Sequence, residues 1–201
     1  MKIITNLVCL SIMFITTGVF AQSPLKVNPI MIDSSFDALS LEKLKMATQM
    51  LDSVLNSQAF KDGVTQLDLR IGNLGLTNNE ILKLILSGAN WYKDSTPDFA
   101  MDLHLMVFDK YRGAGNFGVT DMNTHVTATH RCFIWQSDVR CYAAHLAHEY
   151  MHEIGFLDEK TGVWPFRRKT SAVPYQIGNL INRLLGNQTP CVAIHSTCKK
   201  E

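Results

Sequence analysis

The chain has 201 residues, with 19 basic and 18 acidic side chains and a formal net charge of +1. So even a balance leaves no electrostatic footprint for nucleic acid or for an anionic membrane surface. With 46% apolar residues and no internal repeat or low-complexity tract, the length suits one domain able to bury a core.

At the start, Lys2 precedes an apolar stretch from Ile3 to Phe20, and Val19 and Ala21 supply the small residues that signal peptidase reads. This predicts a secretory signal peptide over 1–21, cleaved after Ala21, and a secreted or periplasmic product with no membrane attachment. Cys9 has no lipobox around it. Residues 22–39, with Pro24 and Pro29, predict an extended N-terminal arm, in which Asp33 or Asp37 could occlude a metal. Ser40 is then expected to cap a helix whose Leu41, Leu44, Ala47, Leu51 and Leu55 recur at helical spacing.

Farther along, "TQLDLRI" alternates through Leu67, Leu69 and Ile71 and predicts a strand. Thr77 with Glu80 reads as a capping box for a helix running to about Leu86 and stopping near Gly88. "MDLHLMVF" places Leu103, Leu105 and Val107 on one strand face, and the glycine-bearing "YRGAGNFGVT" follows. A further strand is expected within "HVTATHRCFIWQ", before a histidine-rich helix. Helices and strands in this order predict an α+β or α/β domain over residues 40–201, with α+β the expected class.

Once the leader is removed, Cys132, Cys141, Cys191 and Cys198 remain, an even number in an oxidising compartment. Two disulfides are expected. Of the three pairings, the short separations favour Cys132 with Cys141 and Cys191 with Cys198. A zinc site of four thiolates would want Cys-x-x-Cys pairs, and the sequence contains none.

The chemistry concentrates in "HLAHEYMHEIGFLDE", residues 145–159. His148 and His152 are four apart, so on a helix their rings lie one turn above the other and can converge on one metal ion. Glu149 projects beside that point, where a carboxylate can act as general base toward a water molecule. Gly155 can end the helix in a left-handed conformation and turn the chain back. Asp158 is then placed to supply a third, oxygen ligand, and three protein ligands with an open position are what a catalytic zinc needs.

His145 stands about 10 Å along the helix axis from His152, too far for one ion to reach both, so it is expected beside the site or in solvent. Glu153 and Glu159 are expected to be solvated helix-end charges. Trp135 and Trp164 are expected in the core or a cleft wall.

The full pattern H-E-x-x-H-x-x-G-x-x-D resembles the elongated zinc motif of the metzincin metallopeptidases, with aspartate as third ligand as in the snapalysin-like members. "HEIGFLDE" is similar to the corresponding astacin segment. "SAVPY", residues 171–175, resembles the turn beneath the metal, with Val173 in the methionine's place and Tyr175 in the tyrosine's. "QIGNLINRLLGN" resembles the terminal helix that follows, and the resemblance spans about residues 145–186.

The resemblance implies a zincin-like fold: a twisted mixed sheet, an active-site helix and a C-terminal helix. It implies one Zn2+ on His148, His152 and Asp158, with Glu149 as base and Tyr175 as oxyanion donor. The implied activity is that of a secreted, monomeric endopeptidase. Its protein or peptide substrate would add as a strand to a sheet edge between Gly113 and Val126. Two rival expectations are a zinc-binding or toxin-like module without general proteolysis, and a disulfide-stapled structural domain in which the histidines have no role.

Overall fold

The computed structural model describes residues 23–93, 96–109, 117–158, 171–187 and 191. The expected signal peptide, the segment 159–170 with Glu159 and Trp164, and Cys198 lie outside these residues. The elements in chain order are β1 (Lys26–Met31), α1 (Ala38–Leu55), α2 (Gln58–Gln66), α3 (Asn78–Ser87), β2 (Ala100–Phe108), β3 (Gly118–Asp121), β4 (Val126–His130), α4 (Arg131–Gln136), α5 (Val139–Ile154) and α6 (Val173–Leu184). Among the described residues, no helix is long and apolar enough to cross a membrane.

Four strands form one mixed sheet in the order β1-β2-β4-β3. β1, β2 and β4 run parallel and β3 closes one edge antiparallel to β4. Met101, Leu103, Leu105 and Val107 of β2 are buried on one face, as their alternation predicts. Val27 of β1 pairs with Met101 and is buried with it, so this face carries the core. α1 packs along β1 and α5, while α5 also packs on β2 and β3. α6 lies against α5.

The expected arm is therefore extended but integral to the sheet, since residues 26–31 are strand β1 and Leu25 and Val27 are buried. Helix α1 begins earlier than its leucine spacing suggests. Asp37, not Ser40, is the N-cap: it accepts from the Ser40 amide at 2.9 Å, while the Ser40 hydroxyl donates to its other oxygen at 3.1 Å. Asp37 also accepts from Arg131 and from Trp135 Nε1. Burial raises its pKa, but these donors outweigh that effect and hold the carboxyl at about 2. It is thus committed to the frame of the fold, and Asp33 accepts from the Ser35 amide. Asp37→Ala is expected to lower unfolding stability by about 1–3 kcal/mol, from the lost cap and the lost Arg131 partner, measured by urea titration.

The capping box Thr77–Glu80 and the left-handed Gly88 bound α3 as predicted. The expected strand "TQLDLRI" is a correction. Thr65 and Gln66 finish α2, which buries Phe60 and Val64 one turn apart under a Ser57 cap. Only Ile71 makes a bridge, to Ala172, so alternation here buries Leu69 without a neighbouring strand to pair with. Within "HVTATHRCFIWQ" the strand ends at His130, whose Nδ1 accepts from the Cys132 amide and starts α4. Trp135 is 47% exposed, contrary to expectation, and its ring lies against Arg131.

Cys141 pairs with Cys191, with Cα atoms 5.4 Å apart. This overturns both favoured pairings. Cys141 sits in the first turn of α5, and residue 191 returns to that turn after α6 has packed along α5. Spatial return rather than chain separation selects the partner.

Candidate active site

α5 carries the site because Asp138 caps it and Gly155 ends it. The Asp138 carboxylate accepts from the Arg140 amide, and Gly155 adopts φ 113°, which lets the chain leave the helix and bring Asp158 back beside it. A side chain at Gly155 would meet the Tyr92 ring as well as an unfavourable backbone conformation.

His148 Nε2 and His152 Nε2 lie 3.7 and 3.6 Å from Asp158 Oδ1. One ligand atom from each of the three residues falls within 4.8 Å of the others. Ligand atoms on a tetrahedral zinc with bonds of 2.0–2.1 Å stand about 3.3–3.4 Å apart, so a small inward adjustment suffices. His152 Nδ1 lies 2.7 Å from the Phe156 carbonyl, so this nitrogen donates and the Nε2 lone pair is left toward the cluster. His148 hydrogen-bonds the Pro174 carbonyl, and burial pushes its pKa down to about 4, leaving a neutral imidazole suited to a metal. The residues present fit a zinc ion.

Glu149 is 4% exposed and lines the same cleft, a cavity of about 510 Å³. Its Oε2 accepts from the Thr120 hydroxyl at 2.8 Å. Its Oε1 lies 3.6 Å from His145 Nδ1. Burial opposes its ionisation, but electrostatic interaction with the neighbouring histidines and the hydrogen bond from the Thr120 hydroxyl outweigh it and hold its pKa below the ordinary value.

His145 is largely enclosed beside Glu149, its Nε2 is 3.1 Å from Thr129 Oγ1, and desolvation lowers its pKa. Gly118 is required next to it, since an added Cβ would sit 2.4 Å from its ring. Tyr175, in the first turn of α6, stacks edge-on against His148 with ring centroids 4.5 Å apart. Partial burial, with Asp158 and Glu149 nearby, pushes its phenol up to about 12, so it remains a donor. Val173 is fully buried at the head of the same helix. Gly178 lets α6 approach closely, because a Cβ there would lie 3.1 Å from the Ala144 carbonyl and 3.3 Å from His148 Cβ.

Glu153 is the residue that sequence reasoning misplaced. It is 1% exposed rather than solvated, and burial, with the Glu149 charge adding to it, raises its pKa to about 8. Its Oε1 lies 3.3 Å from Thr127 Oγ1, which lies 2.7 Å from Thr120 Oγ1. The Thr127 hydroxyl donates to Glu153 Oε1, so the threonine pair links the two buried carboxyl groups of α5. The available signal was the spacing of His145, Glu149 and Glu153 at every fourth position, one polar stripe against the alternating Thr127 and Thr129.

Comparison of the chain with protein-family models, with curated proteins and with solved structures finds no match.

Proposed function

We propose that the protein is a secreted zinc-dependent endopeptidase of metzincin-like architecture. The observation that carries the reading is the convergence of His148, His152 and Asp158 in a cleft that also holds the buried carboxylate of Glu149. The chemistry that a bound zinc supplies is acidification of a water molecule and polarisation of the scissile carbonyl. Glu149 receives a proton at the carboxylate and delivers it to the leaving amine, Oε1 being the oxygen that Thr120 leaves unengaged. Tyr175 donates to the oxyanion that develops at the carbonyl.

Support for a peptide substrate comes from β3. It is a sheet edge within the interval where the resemblance puts substrate, and Gly118, Val119 and Thr120 border the cleft. An extended peptide can pair with such an edge through its main chain, at the depth of Glu149. Signal cleavage after Ala21 and a monomeric state belong to the same proposal.

The test is hydrolysis of an unstructured protein substrate by the oxidised protein from Gln22 onward. Cleavage that a chelator stops and added zinc restores is the expected result. Stoichiometric zinc without cleavage of any tested peptide would replace this reading with a zinc-binding module. Absence of bound zinc, with stability unaffected by chelator, would leave a structural domain. Tyr175→Phe is expected to lower turnover by about ten- to a thousandfold while zinc stays bound. Unchanged turnover removes the phenol from the mechanism.

A further inference from the structure

The sheet face under α5 is apolar along β2 but changes character toward the edge. Thr120 and Thr127 stand opposite each other in the β3–β4 register, both buried, and Thr129 follows on the same face. Opposite them, α5 presents Glu149 and Glu153 on one stripe, and the contacts run Glu149 Oε2 to Thr120 Oγ1 at 2.8 Å, Thr120 to Thr127 at 2.7 Å and Thr127 to Glu153 Oε1 at 3.3 Å. Valine matches threonine in shape and suits a strand at least as well, so an apolar layer here would hold helix to sheet without burying carboxylates. Of the two carboxyl groups, Glu149 borders the cleft, while Glu153 lies one turn farther along α5. A connected run of polar contacts in a protein interior restricts the geometry of its members.

We propose that Thr120 and Thr127 are positioning residues, which hold the Glu149 carboxylate in a single orientation through a buried hydroxyl relay anchored at Glu153. The inference rests on the peptidase reading, because Glu149 acts as base only there. Thr120 belongs to β3, so the strand that borders bound peptide also holds the base. Side-chain alignment and substrate engagement thus share one element. Loss of the Thr120 hydroxyl frees Oε2 and lets the carboxylate rotate, which harms the chemical step more than binding.

The experiment compares Thr120→Val with Thr120→Ser in the oxidised, zinc-loaded protein, and adds an unfolding cycle on the metal-free protein with Thr120→Val, Glu149→Ala and the double variant. Expected are a kcat for Thr120→Val about ten- to a hundredfold below the parent with KM little changed, and recovery of most of that loss in Thr120→Ser. Zinc stoichiometry stays at the parent value in both. In the cycle, the urea-midpoint shift of the double variant should differ from the sum of the single shifts. A parental kcat in Thr120→Val, a Ser variant no better than Val, or strict additivity in the cycle overturns the relay. A parent that hydrolyses nothing overturns the peptidase reading, and the cycle then separates a relay that is only structural from no relay at all.

Discussion

Glu149→Gln is expected to abolish measurable hydrolysis, with a fall of about a hundred- to ten-thousandfold, while zinc binding is retained. Glutamine has the shape of glutamate and still offers an oxygen to the Thr120 hydroxyl, so the buried run of contacts keeps its acceptor. The amide cannot take up the proton that the carboxylate takes. The substitution also removes a charge that the neighbouring histidines and the Thr120 hydroxyl favour in the folded protein, so stability should be unchanged or modestly lowered. Side-by-side assays of parent and variant on one unstructured substrate, with zinc stoichiometry and urea titrations of both, check all three expectations. Equal cleavage by the two proteins would show that Glu149 is not the base or that a contaminant is responsible.

Removing a metal ligand is the second large effect. His152→Ala is expected to weaken zinc binding by about a hundredfold or more, since it deletes an imidazole whose orientation the Phe156 carbonyl has already fixed. Asp158→Asn should do less, about tenfold, because the amide oxygen remains and the residue lies 44% exposed past the helix end. The parent should gain about 2.7 kcal/mol of stability at zinc concentrations a hundred times its Kd, and His152→Ala should gain little of it at the same concentration. Calorimetric titration with zinc and metal-dependent urea curves measure both quantities. An unchanged affinity in His152→Ala would place the metal elsewhere.

Local signals in the chain carried much of what positions the site. The capping box at Thr77 and Glu80, the alternation of Leu103, Leu105 and Val107, and the left-handed stop at Gly155 are decided within a few residues by backbone and hydrogen-bond chemistry, and all are found in the structure. The spacing of His148 and His152 is of the same kind, since helix periodicity alone sets the two rings one turn apart, edge to face with centroids 5.0 Å apart. Asp158 closing beside them follows from the turn that Gly155 permits.

Tertiary structure decided what depends on partners remote in the chain. The run from Leu67 to Ile71 has strand alternation but no strand beside it, and Phe60 and Val64 take α2 into the core instead. Cys141 finds Cys191 because α6 folds back along α5, a return that sequence separation does not encode. Glu153 has the composition of a helix-end charge, yet the sheet covers it, and only the pairing of β3 with β4 sets Thr127 and Thr120 between it and Glu149. The sequence by itself determined which residue types repeat along each helix and strand, because those periods are properties of the backbone. Which of those faces meets water and which meets another element was set by the packing of α5 onto the sheet, and burial is what turns the same carboxyl group from a solvated charge into part of a site.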